Sequence, residues 1–125
     1  NAKAIWDCAR ELPGLRVPEV PAEVEHGAYK CYVFVELEQL KPGWNRDRIL
    51  NAIAEAGVPC FSGSCSEVYL EKAFDGTGWR PEPGLPVARE LGETSLMFLV
   101  HPTLTEGEIG KTCEVLASVM AEAGG

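Results

Sequence analysis

The feature that most constrains this chain is a run of five apolar residues at 96–100, Leu-Met-Phe-Leu-Val, closed by His101-Pro102. A strand with apolar side chains at every position is covered on both of its faces. The run is far below the ~20 residues that a membrane-crossing helix needs. The chain must therefore build a sheet around this segment and supply something to pack above and below it. Its 125 residues suit one domain. With 46% apolar and 24% charged residues it has the composition of a globular protein.

A second strand is read at residues 29–38 from strict alternation. Tyr29, Cys31, Val33, Val35 and Leu37 form one face, expected in the core. Lys30, Tyr32, Phe34, Glu36 and Glu38 form the other, a mixture of charge and aromatic surface expected to be half-covered or in contact with something. A short third strand is predicted at residues 58–61, followed by a small polar loop at 62–66.

Helices fill the intervals. Ile5, Cys8, Ala9 and Leu12 recur at helical spacing over residues 2–12, and Pro13-Gly14 ends that helix. Pro18 and Pro21 then stiffen an extended stretch. Asn45 is placed to cap a helix whose buried stripe is Ile49, Leu50, Ile53 and Ala54, with Gly57 at the left-handed position beyond its end. One or two helical turns are expected at residues 67–74 and a surface loop at 75–84. Pro86 opens a short helix to about Glu93. Thr105 and Glu108 make a capping box ahead of a last helix, in which Ile109, Cys113, Leu116 and Met120 share a face as far as about Ala123. These elements describe an α/β (α+β) two-layer sandwich: a small mixed or antiparallel sheet with helices packed mainly on one face. The other face is left with little to cover it.

Charge and side-chain inventory narrow the chemistry. A net charge of −8 disfavours nucleic acid as a partner. No basic segment followed by an apolar one opens the chain. Five cysteines, an odd number, are then read as reduced thiols of a cytoplasmic protein. Cys60 and Cys65 flank the polar loop, but a zinc site needs about four close ligands and only His26 and His101 could join them, so no metal is expected. A nucleophile pair of Cys60 or Cys65 with His101 has no flanking signature to support it. The glycines follow neither a G-x-G-x-x-G nor a P-loop order. Glu106 and Glu108 occupy a helix first turn, where acids favour the dipole. These residues define a suspicious sheet face and a suspicious loop, but no reaction.

Three stretches in order carry a resemblance. They are AYKCYVFVEL with WNRDRILNAIAEAGVPCFSG, then SEVYLEKAF, then LPVARELGETSLMFLVHPTLTEGEI with its closing helix. Together they resemble the C-terminal domain of the DegT/DnrJ/StrS family of pyridoxal-phosphate (PLP) sugar aminotransferases, over nearly the whole chain. The third stretch is the most specific: an LPVA helix, an apolar strand, His101-Pro102, then Leu104-Thr105-Glu106. Many members have a histidine where Lys30 stands, and a Tyr-Pro…Pro-Leu-His run where this chain has residues 59–67, Pro-Cys-Phe-Ser-Gly-Ser-Cys-Ser-Glu.

The resemblance implies a fold type I enzyme in which this chain is the small domain. A large domain of the same polypeptide would bind PLP and supply the Schiff-base lysine, and the usual assembly would be a homodimer. The small domain would cover the active-site mouth and help bind a nucleotide-linked keto sugar. It also implies that this chain alone binds no PLP and supplies no catalytic residue, since none of Lys3, Lys30, Lys41, Lys72 and Lys111 stands in a Schiff-base motif. Lys30, Tyr32, Phe61, Ser62, Ser64 and Tyr69 are the implied substrate-binding residues. The alternative is a free-standing α/β ligand-binding or regulatory module without catalysis.

Overall fold

A computed structural model describes residues 1–125. Helix α1 (Ala2–Arg10) leads to β1 (Leu15–Arg16), β2 (Cys31–Val35), α2 (Arg46–Glu55), β3 (Cys60–Phe61), α3 (Pro86–Thr94), β4 (Ser95–Phe98) and α4 (Glu106–Ala123). Short 3-10 turns occupy Leu37–Gln39, Val68–Leu70 and Lys72–Phe74. The four strands form one antiparallel sheet in the order β1-β2-β4-β3. The apolar run is its interior strand: all four residues of β4 are buried. No helix is long and apolar enough to cross a membrane.

Helices α1, α2 and α4 pack on one face. Their apolar stripes, Ile5 and Ala9 of α1, Ile49 and Ile53 of α2, and Leu116 and Met120 of α4, meet Cys31, Val33, Val35, Leu96 and Phe98 of the sheet in a single core. The capping signals act as read. The Asn45 side chain accepts from the Arg48 N–H at the start of α2, and Thr105 and Glu108 cap α4 reciprocally. Gly57 takes φ +79 directly after α2, the conformation that a side chain would strain.

Three expectations are corrected. The strand read over residues 29–38 is the five-residue β2, and the two outer members of its core face are not in the core: Tyr29 is 89% exposed and Leu37 43%. Pairing with β4 runs only from Cys31–Phe98 to Phe34–Ser95, so Tyr29 has no strand beside it. Ala28 bends the chain there at φ +42, and Leu37 begins a 3-10 turn. A fourth strand, β1, joins the three expected, because two residues are too few to show alternation in the sequence; Leu15 pairs with Val35 and Arg16 with Phe34. On α2, Ala54 is exposed, and Ala52 packs against the core in the place expected for it.

The second face of the sheet is less bare than expected. Helix α3 stands over it, with Leu91 and Gly92 beside Tyr32, Phe34 and Ser95. The 62–66 loop folds over it from β3. Tyr32 and Phe34 remain half-buried within the monomer.

Candidate functional site

Alternation along three strands assembles the second face. Phe61 of β3, Met97 of β4 and Tyr32 of β2 sit side by side in register, and Ser95 lies beside Phe34. The Tyr32 and Phe34 rings stack, with centroids 6.4 Å apart and planes 11° from parallel. The Arg16 guanidinium lies 4.7 Å above the Phe34 ring and 3.5 Å from a Glu90 carboxylate oxygen. The cation thus closes the β1 end of the aromatic row.

The polar loop is drawn onto this row by hydrogen bonds. Ser95 Oγ donates to the Ser62 carbonyl at 2.6 Å. The Ser64 N–H donates to the Tyr32 hydroxyl at 3.3 Å, and Lys30 Nζ donates to Ser64 Oγ at 3.2 Å. Gly63 makes the approach possible. It sits at φ +93, and a Cβ there would stand 2.5 Å from Tyr32 Cε1. A cavity of about 280 Å³ opens between Tyr32, Phe34, Ser64, Cys65, Ser66 and α3.

Five of the six predicted residues therefore share one region. Lys30 and Tyr32 both bond to Ser64, Ser62 is tied to Ser95 beside Phe34, and Phe61 extends the aromatic surface, 47% exposed. Tyr69 stands apart. Its hydroxyl donates to Glu67 at 2.6 Å and accepts the Leu85 N–H at 2.9 Å, so both roles of the hydroxyl are spent bracing the 67–85 segment. The bond to the Glu67 carboxylate is the main cause that raises its pKa.

Other contributors escaped the sequence reading. Arg46 is nearly buried and donates to the carbonyls of Gly92 at 3.1 Å and Ser95 at 2.9 Å, fixing the α3–β4 corner that roofs the cavity. Arg80 gathers the carbonyls of Tyr69, Leu70 and Glu71 and thereby shapes the 67–80 loop. The one available signal was Gly92, a glycine inside a helix. Its hydrogen faces Ser66, whose Oγ would lie 2.1 Å from an added Cβ.

The arrangement can hold a ligand but has no acid–base or nucleophilic pair. The Lys30 amine, the Ser64 hydroxyl and the Tyr32 hydroxyl offer donors to an anion or a polyol, and the ring faces offer a flat apolar contact. Neither cysteine flanking the loop is activated as a nucleophile. Burial pushes the Cys60 thiol up to about 12, and partial desolvation with the Glu71 carboxylate raises that of the exposed Cys65. His101 pairs with Thr103 at 2.7 Å and lines a separate cavity containing no cysteine. No group of three or more metal-ligating side chains is present.

Comparison with known proteins gives the site its setting. No family model and no curated protein matches the chain. Solved structures do. An aminotransferase from Psychrobacter cryohalolentis is 54% identical with a TM-score of 0.90, over 97% of this chain and 33% of that one. A DegT/DnrJ/EryC1/StrS aminotransferase from Brucella abortus shares the fold at a TM-score of 0.74 and 21% identity, over 94% of this chain and 28% of that one. DesV of S. venezuelae, solved with a ketimine intermediate, does so at 0.79 and 18%, over 95% and 30%. The chain spans about a third of the length of the structures it matches. At 54% identity the chain is similar to an aminotransferase, and it shares its fold with a member of the DegT/DnrJ/EryC1/StrS family, the family that its three sequence stretches resemble.

Proposed function

We propose that this chain is the small C-terminal domain of a cytoplasmic, dimeric, PLP-dependent aminotransferase, and that it helps to close the active site over a nucleotide-linked keto sugar. The observation that carries this reading is the 54% identity with the Psychrobacter aminotransferase over 97% of the chain. The site adds chemical sense. Lys30 and Ser64 present donors at the rim of a stacked aromatic face, a combination that suits a ligand with both anionic and ring portions.

PLP itself finds no fitting residues in this chain. An internal imine needs a free lysine beside an acid for the ring nitrogen. Lys3 pairs with Asp7 on the surface, Lys30 with Ser64, and Lys41 and Lys111 donate to the carbonyls of Glu122 and Gly57. Lys72 is exposed on a 3-10 turn. No cofactor step is therefore derived for this chain. In this reading the cofactor and its lysine belong to the large domain. The apolar residues left exposed along the 68–87 segment, Val68, Leu70, Trp79, Leu85 and Val87, are the surface that meets that domain.

The test is a graft. This chain replaces the matching third of the Psychrobacter enzyme, and amino transfer to that enzyme's own acceptor is followed. An active chimera is expected. In it, Lys30→Ala is expected to raise KM for the acceptor several-fold with little change in kcat, since a rim donor binds substrate and transition state alike. A well-folded chimera that binds PLP yet transfers nothing would sink the reading. A lower kcat at unchanged KM for Lys30→Ala would remove Lys30 from substrate binding.

A further inference from the structure

Three thiols converge where α1 crosses β2 and α4. The Cys8 thiol donates to the Cys113 carbonyl at 3.6 Å, and the Cys113 thiol donates back to the Ala4 carbonyl, one turn before Cys8, at 3.9 Å. The Cys31 thiol points into the same junction and donates to the Ala2 carbonyl at 4.0 Å. Cys31 is fully buried, whereas Cys8 and Cys113 are half-buried and reachable. The two reachable side chains thus lie across one helix–helix contact, each sulfur against the backbone of the other's helix. The other tempting pair is separated by the sheet. Cys60 belongs to the core face, while Cys65 is exposed beside the cavity and bonded to Glu71 at 3.5 Å. Closeness in sequence does not make Cys60 and Cys65 partners; the fold makes partners of residues 105 apart.

We propose that Cys8 and Cys113 form a dithiol modification site, which a small disulfide such as glutathione disulfide closes to an intramolecular bridge between α1 and α4. In the first step the Cys8 thiolate attacks one sulfur of glutathione disulfide. A mixed disulfide forms and one glutathione thiolate leaves and is protonated. The Cys113 thiolate then attacks the Cys8 sulfur and expels the second glutathione. Two protein thiols are oxidised to one disulfide, and one glutathione disulfide is reduced to two glutathiones. At rest the pair stays reduced: burial first, and then the neighbouring Cys113 thiol, push Cys8 up to about 11, which makes exchange slow at neutral pH. The bridge would tie the start of the chain to its last helix and restrict the unfolded state over nearly its whole length.

The experiment incubates the full chain with excess glutathione disulfide, caps the remaining thiols with N-ethylmaleimide, and reads intact mass and a peptide map. Cappable thiols are expected to fall from five to three, with a single linked peptide pair containing Cys8 and Cys113. Tm should rise by about 10 °C and return on reduction. Cys8→Ser and Cys113→Ser should each abolish the bridge, while Cys65→Ser, at an exposed position, should leave it intact. The wild-type map alone decides the matter if a core-side variant folds poorly. Five thiols remaining, a glutathione adduct that never resolves, a bridge through Cys65, or an unchanged Tm in the bridged form would each overturn the proposal.

Discussion

One strand, β2, separates two surfaces built on different principles. Its odd-numbered residues Cys31, Val33 and Val35 are at most 2% exposed, under three helices. Its even-numbered residues Tyr32 and Phe34 are half-buried under one short helix and a polar loop. The first surface is aliphatic and closed by packing. The second is aromatic and held by oriented bonds: Ser95 to Ser62, Ser64 to Tyr32, Lys30 to Ser64. A close-packed interior tolerates few voids, whereas a surface secured by hydrogen bonds can part from its cover and admit a ligand. In this chain, the closed core lies on one side of the sheet and the proposed recognition surface on the other.

The largest expected effect tests that division. Phe98→Ala, at a side chain 1% exposed in the middle of the core, should destabilise by about 3–5 kcal/mol in urea unfolding. Phe34→Ala, on the half-open face, should cost about 1–2 kcal/mol, because part of the ring's surface is already in water. Equal costs would mean that both faces are cores and that the second is not a recognition surface.

Next in size is Gly63→Ala. Two penalties combine at this residue: φ +93 and a Cβ 2.5 Å from the Tyr32 ring. A cost of about 2–3 kcal/mol is expected, together with displacement of Tyr32. Gly76→Ala is the control, with φ +69 but open space around its Cβ, and should cost about 1 kcal/mol from backbone strain alone. If the two variants melt together, the loop does not rest on Tyr32 in solution.

Legibility from sequence followed the same division. The closed side was readable, because periodic apolar residues and caps are local signals. Asn45, Gly57 and the Thr105–Glu108 box act where the residues place them, and the apolar run became the interior strand. The strand's length was overread. Tyr29 and Leu37 continue the alternation of β2, but alternation does not report where the neighbouring strand stops. On the open side, strand parity and the loop bonds place Lys30, Tyr32, Phe61, Ser62 and Ser64 in one region, while Tyr69 braces the 67–85 segment. Arg46 was invisible as a clasp because its carbonyl partners lie 46 and 49 residues away. The Cys8–Cys113 contact was hidden for the same reason: a helix crossing at the two ends of the chain leaves no spacing to read.

The smallest effect sharpens the contrast from the closed side, where stability should also respond to pH through a cap. The Glu108 carboxylate accepts the Thr105 backbone N–H at 2.7 Å and the Thr105 hydroxyl at 2.8 Å. The backbone bond first, and the hydroxyl second, hold its pKa below the ordinary 4.5. A carboxylate whose folded pKa is depressed releases its proton more readily when folded, so its contribution is fully present above 4.5. That contribution fades as pH falls from the unfolded value through the lower folded one. Tm measured from neutrality down to about pH 3 should therefore decline on the acid side. Glu108→Gln keeps a capping acceptor but cannot ionise, and should decline less steeply below 4.5 than the wild type. Glu106→Gln, which changes the same charge in the same first turn without a role in the capping box, should keep the wild-type slope. If instead the two variants flatten the acid limb equally, the helix dipole and not the box carries the effect, and α4 is held at its start by charge alone.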